Sequence, residues 1–230
     1  ILTSRGCALN CSYCSTSKSL SGGYRARKAE DVLREFKECY ARWGITFFDI
    51  EDENFTFDRK RTREILRGLI EMFKGKEIEI EAMNGLLPET LDRETVNLMR
   101  AAGFRRLNLS IASMNEAVLR SCNRPESAPE HLEPLVTHAV GLGMDVTVFI
   151  ISGGPHASSR TVADDLAYLA LQPVRIGLST YYPAPGSLDY SRNSFRKPSA
   201  FSLFRSSVYP VEARMTRLQM VTASRVARIL

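Results

Sequence analysis

The stretch that decides the reading is Arg5-Gly6-Cys7-Ala8-Leu9-Asn10-Cys11-Ser12-Tyr13-Cys14. Its cysteines follow a C-x3-C-x2-C spacing, with an aromatic residue before the third and no further cysteine or histidine nearby. Three soft thiolates on one short loop suit an iron–sulfur cluster in which one iron keeps an open position. A closed structural zinc site wants four ligands, and His131, His138 and His156 lie far along the chain and unpaired. A disulfide framework is disfavoured by 5 cysteines in 230 residues, no secretory signal and a core large enough to need no staples. Cys39 falls in the helical apolar run Val32, Phe36, Cys39, Tyr40, Trp43 and reads as a small buried hydrophobe, as does Cys122 after Val118 and Leu119.

Outward from this loop, strand and helix signals alternate. Strands are expected over 1–4, 46–51, 78–82, 106–111, 145–151 and 175–182. Helices are expected over 29–43, 59–73, 93–102, 129–142 and 161–170, with Gly44 and Gly103 as stops and Pro134 in a first turn or at a kink. Such β-then-α steps imply a parallel sheet with right-handed crossovers. Six units fall short of the eight of a closed barrel. The expected fold is therefore α/β, a partial (β/α)6 TIM-like barrel with an open, curved parallel sheet. A flat doubly wound sheet is the alternative.

With 230 residues, 44% of them hydrophobic, the chain suits one domain. No apolar run is long enough to span a membrane, and free thiols with a reduced cluster point to the cytoplasm. The net charge of +5 is uneven: residues 192–230 hold eight basic side chains against Glu212 alone, so that segment is +7 and residues 1–191 are −2. The sequence divides into a core over 1–190 and a basic exit segment with a helix over 191–230. That helix carries Leu218, Val221, Val226 and Ile229, an apolar set expected to pack against a following region. Ile1 begins inside an expected strand and Leu230 ends inside an expected helix, so the sequence reads as a piece of a longer protein. The basic tail is a linker or a docking surface for an acidic partner such as RNA; the linker reading is preferred.

In parallel sheets ligands gather at the C-terminal strand ends, where several polar stretches fall. Glu51-Asp52-Glu53-Asn54-Phe55-Thr56 follows the second strand. It is no calcium loop, because Asn54 stands at the glycine position and Lys60 at the twelfth, counted from Asp49. Glu79 and Glu81 alternate on one strand face; on a concave sheet they would be buried and need partners.

The C-x3-C-x-aromatic-C loop resembles the cluster motif of radical S-adenosylmethionine (SAM) enzymes. That resemblance implies a 4Fe-4S cluster on Cys7, Cys11 and Cys14, with SAM chelating the remaining iron. In that family an electron from the cluster cleaves SAM to a 5′-deoxyadenosyl radical that abstracts hydrogen from a substrate. The 52–56 segment is similar to the Asp-Asp-x-Phe-Thr variant of methylthiotransferases and cobalamin-linked relatives, which makes Asp52 or Glu53 a contact for the SAM amino group. Glu81 best matches a SAM-binding acid. Ala112 replaces a SAM-holding glutamine of oxygen-independent coproporphyrinogen oxidases, and Ser113 is the substitute. Asn123-Arg124 resembles the segment whose arginine binds the SAM carboxylate, a match of fork to carboxylate. Tyr13 would approach the adenine through its backbone, as would Gly153 and Gly154 in Ile151-Ser152-Gly153-Gly154-Pro155. Phe149 stands where some relatives have a ribose-binding acid, and Tyr181 or Tyr182 faces either substrate or core. The resemblance also implies an unidentified substrate and a reductant such as flavodoxin or ferredoxin. Two alternatives remain: a cobalamin-dependent methyltransferase whose B12 domain lies outside this sequence, and a non-catalytic iron–sulfur or zinc protein that binds a partner.

Overall fold

The computed structural model describes residues 1–16, 22–125, 129–155, 157–191 and 214–230. Of the sequence-based expectations, His156 and the basic residues Arg192, Arg196, Lys197 and Arg205 lie outside the described residues.

The chain begins at one edge of a parallel sheet. The amino group of Ile1 donates to the Asp49 carbonyl (2.7 Å), and the Ile1 carbonyl accepts from Glu51 N–H (2.9 Å), a parallel ladder. Two residues on, β1 (Ser4–Arg5) turns away to pair antiparallel with β2 (Arg25–Ala26), so the cysteine loop is the connection of a small hairpin. α1 (Ala29–Trp43) then crosses to β3 (Phe47–Asp49), and α2 (Arg59–Met72) to β4 (Glu79–Glu81). β3 and β4 pair in parallel. After a 3-10 turn (Pro88–Thr90), α3 (Arg93–Ala102) leads to β5 (Arg106–Ala112), which adjoins the β4 side through parallel bridges Ile80–Phe104 and Leu86–Leu109. α4 (Glu116–Ser121) and α5 (Pro129–Gly141) precede β6 (Asp145–Ser152). α6 (Ser159–Ala170) precedes β7 (Arg175–Thr180), and both strand pairs of β5-β6-β7 are parallel. Short α7 (Leu188–Ser191) and α8 (Arg217–Ile229) complete the described chain. Strand positions thus follow chain order in an open parallel α/β sheet. The first strand is shorter than expected because the hairpin takes its second half.

The helices bury one face each. Phe36, Ile65, Leu66, Leu69, Val96 and Met99 are fully buried against Ile50, Ile80, Leu107 and Leu109 of the sheet. Each such side chain contributes roughly 1.5–3 kcal/mol of burial. Glycine is obligatory at Gly103: its φ is 113°, and a Cβ there would stand 2.9 Å from the Ile78 carbonyl oxygen. That turn closes α3 and delivers the chain to β5. Asp92 caps α3, accepting from Thr95 N–H at 2.9 Å, and is bridged by Arg63 at 2.5 Å, which ties α2 to α3. Pro134 sits inside α5.

Helix α8 carries two apolar faces. Leu218 and Ile229 are 75% and 83% exposed, while Met220, Ala223 and Ala227 face inward against α6 and β7. Small residues let the helix approach closely, so its buried stripe is the Met–Ala one and its larger apolar residues face out.

Candidate active site

The C-terminal ends of the strands surround a cavity of about 480 Å³, within the range of small-molecule sites. Cys7, Cys11, Cys14 and Tyr13 border it from the hairpin loop, and Glu51, Glu53 and Asn54 from the β3 end. The segment after β4 adds Met83 to Leu87. Ser110, Phe149, Ile151 and Ser179 come from β5, β6 and β7, and Arg124 from the loop after α4.

The cysteine loop is fixed by its backbone. Ser12 N–H donates to the Cys122 carbonyl (2.9 Å), Asp189 N–H donates to the Ser12 carbonyl (2.8 Å), and Cys14 N–H donates to the Cys11 carbonyl (3.1 Å). The loop is thereby held between the start of α7 and the end of α4. Burial pushes the Cys7 thiol up, against the pull of the Leu9 N–H; burial also raises Cys11, against the pull of Arg124. All five cysteines are free. Among the described residues no group of three or more His, Cys, Asp or Glu side chains is arranged to hold one metal ion. Three thiols spread around one cavity suit a cluster, whose corners take one thiolate each.

Asp52 and Glu53, equivalent in the sequence, separate in the structure. Asp52 is buried and turned inward. It accepts from Thr3 N–H (2.6 Å), Thr3 Oγ1 (2.5 Å) and Ser4 Oγ (2.5 Å), which ties the β3 end to the strand feeding the cysteine loop. Glu53 borders the cavity, and its Oε2 is buried without a protein partner, as is Nδ2 of Asn54 beside it. A buried carboxylate oxygen and an amide N–H without partners, on residues that border a cavity, call for a polar partner.

Arg124 also borders the cavity. Its Nη1 donates to Tyr13 Oη (2.9 Å) and lies 4.0 Å from Cys11 Sγ; its Nη2 donates to the Ser110 carbonyl and to Ser110 Oγ (3.2 Å). Nε is shielded from solvent and has no partner. Burial works against its charge, and its contacts with Tyr13 and Cys11 favour it. Burial likewise drives the Tyr13 phenol up, against the pull of Arg124. The preceding Asn123 adopts φ 52°, and Ala112 at the β5 end φ 66°, beside a register shift between Ser110 and Ala112. Non-glycine residues in this region collect at functional sites.

Four sequence-derived candidates, Glu81, Ser113, Gly153 and Gly154, point elsewhere. Glu81 is buried but pairs with Arg106 Nη1 at 2.6 Å and does not border the cavity. Ser113 Oγ donates to Asp165 Oδ2 (2.7 Å), whose Oδ1 accepts from Met114 N–H (2.8 Å); this pair locks the β5 end onto α6. Gly153, with φ 77°, lies under α8, where a Cβ would stand 2.7 Å from Met220 Cε, and Gly154 adjoins the Tyr181 ring. Tyr181 is buried and donates to Asp189 at 3.0 Å, so of the two tyrosines it is a packing residue. Sequence reasoning passed over Ser110, Asn54 and Asn84. Their signal is position: each follows or ends a strand that carries a recognised motif.

Residues 1–169 match the radical SAM superfamily. The chain is 30% identical over 155 residues to cytidylyl-2-hydroxyethylphosphonate methyltransferase of Streptomyces wedmorensis, covering 67% of this chain and 28% of that protein. It is 22% identical over 194 residues to an uncharacterized methyltransferase of Pyrococcus horikoshii, covering 83% and 41%. The chain therefore spans well under half the length of these curated relatives. Among solved structures, the radical SAM methyltransferase TsrM of Kitasatospora setae, bound to cobalamin and a 4Fe-4S cluster, superposes with a TM-score of 0.73 at 21% identity, covering 82% of this chain and 35% of that one. At that identity the likeness shows the fold, an open TIM-like barrel. Together with the cysteine loop at the strand ends, the family match gives the assignment: the chain belongs to the radical SAM superfamily.

Proposed function

We propose that this chain is the radical-generating core of a SAM-dependent enzyme, with residues 1–190 as the core and 191–230 as the segment leading on from it. The observation that carries the reading is one cavity bordered by three free cysteines, an unpartnered buried carboxylate oxygen on Glu53 and an unpartnered guanidinium N–H on Arg124. When bound, a 4Fe-4S cluster supplies the electron that cleaves SAM reductively. Cys7, Cys11 and Cys14 would hold it. Glu53 would accept from the SAM amino group and Arg124 would donate to its carboxylate. Both border the same cavity, and together they would orient the zwitterionic end of SAM. Asp52 does not touch the ligand; it fixes the hairpin that carries the cysteines. Leu86, Leu87, Phe149 and Ile151 give the cavity an apolar wall. An external reductant, of the flavodoxin or ferredoxin kind, and a second substrate complete the scheme.

A second reading keeps this core and adds cobalamin-dependent methyl transfer. It is favoured by the methyltransferase names of the relatives and by cobalamin in the TsrM structure. In it, cobalamin would be held by chain outside these residues.

Both readings require the cluster. Anaerobically reconstituted protein should carry about four iron and four sulfide per chain. Cys7→Ala, Cys11→Ala and Cys14→Ala should each abolish the cluster, and Cys39→Ala should leave it in place. Stoichiometric zinc with no iron uptake would replace both readings with the structural-zinc one. Transfer of a labelled SAM methyl group to added cobalamin by the whole protein would select the second.

A further inference from the structure

One row of the sheet borders the cavity with unusual side chains. In register, Ser110 of β5 lies beside Phe149 of β6, and Phe149 lies beside Gly177 of β7. Gly85 packs on Ser110, where a Cβ would stand 3.1 Å from Ser110 Cβ. The row therefore reads Gly, Ser, Phe, Gly, with one large side chain among small ones.

Gly177 has no conformational need to be glycine, because its φ is outside the left-handed region. A glycine inside a strand costs about 0.5–1 kcal/mol relative to alanine and marks a close approach. Here the approach is the Phe149 ring. A Cβ on Gly177 would lie 2.3 Å from Cδ1, 2.5 Å from Cε1 and 3.0 Å from Cγ. The ring occupies that space and leans over β7, away from Ser110. Space opens over Ser110 and Gly85, bounded by Phe149 on one side and by Arg124, bonded to Ser110, on the other. Leu86, Leu87 and Ile151 add apolar surface. An aromatic face beside small residues, with a planar guanidinium opposite, suits a thin, flat partner.

We propose that Phe149, parked over Gly177, is a specificity-determining stacking wall that takes a flat unsaturated ring of a molecule bound in this cavity. The inference rests on the function proposed above. Two sources of such a ring exist, the adenine of SAM and a ring on the second substrate. Both require Phe149 to contact the ligand and Gly177 to position Phe149.

The test has a ligand arm and a packing arm. Reconstituted parent, Phe149→Leu and Phe149→Tyr proteins are titrated with SAM, 5′-deoxyadenosine, methionine and indole. If the ring is adenine, Phe149→Leu should weaken SAM and 5′-deoxyadenosine about tenfold and leave methionine unchanged, and Phe149→Tyr should restore affinity. If the ring belongs to the second substrate, only indole should lose affinity in Phe149→Leu. Equal affinities of parent and Phe149→Leu for all four probes overturn the proposal. The packing arm needs no ligand. Gly177→Ala should lower the melting temperature when Phe149 is present and be neutral or stabilising in a Phe149→Ala background. The same loss in both backgrounds would overturn the positioning role of Gly177. A parent that fails to bind SAM would count against the proposed function, while the packing arm would still decide whether the slot exists.

Discussion

Replacing Arg124 with alanine probes both the site and the packing around it, and the two effects are separable. The side chain donates to Tyr13 Oη and to the Ser110 carbonyl and hydroxyl, and its buried Nε has no protein partner. Truncation removes the hydrogen bonds to the Tyr13 hydroxyl and the Ser110 carbonyl, at about 1–3 kcal/mol of stability. A ligand carboxylate loses a charged hydrogen bond worth about 1.5–3 kcal/mol, or roughly 10–150-fold in affinity. Arg124→Lys keeps the charge but cannot serve Tyr13, Ser110 and a carboxylate at once, so it should fall between. Calorimetric titration of SAM into reconstituted protein, with iron content and a thermal melt on each variant, reads all three quantities. The expected result is an intact cluster, a lower melting temperature and weakened SAM. If Arg124→Ala binds SAM as tightly as the parent with its cluster intact, the carboxylate role is wrong and Arg124 is a structural strut between Tyr13 and Ser110.

Asp52 and Glu53 should respond oppositely: Glu53→Gln weakens SAM about tenfold with little change in melting temperature, whereas Asp52→Ala lowers the melting temperature by freeing the buried Thr3 and Ser4 hydroxyls; SAM titrations and melts read both, and the reverse pattern would swap their roles. Burial tends to raise the Asp92 carboxyl, but Thr95 N–H, Thr95 Oγ1 and Arg63 hold it down to about 2. Because its folded pKa is depressed, its stabilisation is present above about pH 4 and is lost as pH falls through about 2; Asp92→Asn keeps the cap yet should flatten stability against pH in that window, and Asp92→Ala should also lose about 0.5–2 kcal/mol of capping in a denaturant melt. Ala112→Gly should raise the melting temperature by relieving the positive φ, and a loss of stability there would mean that the Ala112 methyl packs more favourably than its backbone is strained.

Helix ends were legible where one residue type is forced. Gly44 and Gly103 end α1 and α3 in the left-handed conformation, as the sequence suggested. The cysteine loop was legible because ligand spacing is local. Partners distant in sequence were not. Nothing near Ser113 announces Asp165, and nothing near Glu81 announces Arg106, so neither acid–partner pair could be told from a ligand contact until the sheet brought them together. Asp52 and Glu53 share every local feature, and only the inward turn of one and the outward turn of the other distinguishes them. In α8 the inward stripe of Met220, Ala223 and Ala227 was not legible, because small side chains carry little apolar signal, while the larger Leu218 and Ile229 that stand out in the sequence face outward.

The most direct measurement of the central claim is the product formed when the reconstituted chain is given SAM and dithionite under anaerobic conditions. A radical SAM core should release 5′-deoxyadenosine and methionine slowly and in equal amounts, an activity lost in Cys11→Ala and reduced in Arg124→Ala. A protein that binds a full 4Fe-4S cluster and SAM, yet releases no 5′-deoxyadenosine under any reductant while methylating cobalamin, would contradict the radical reading.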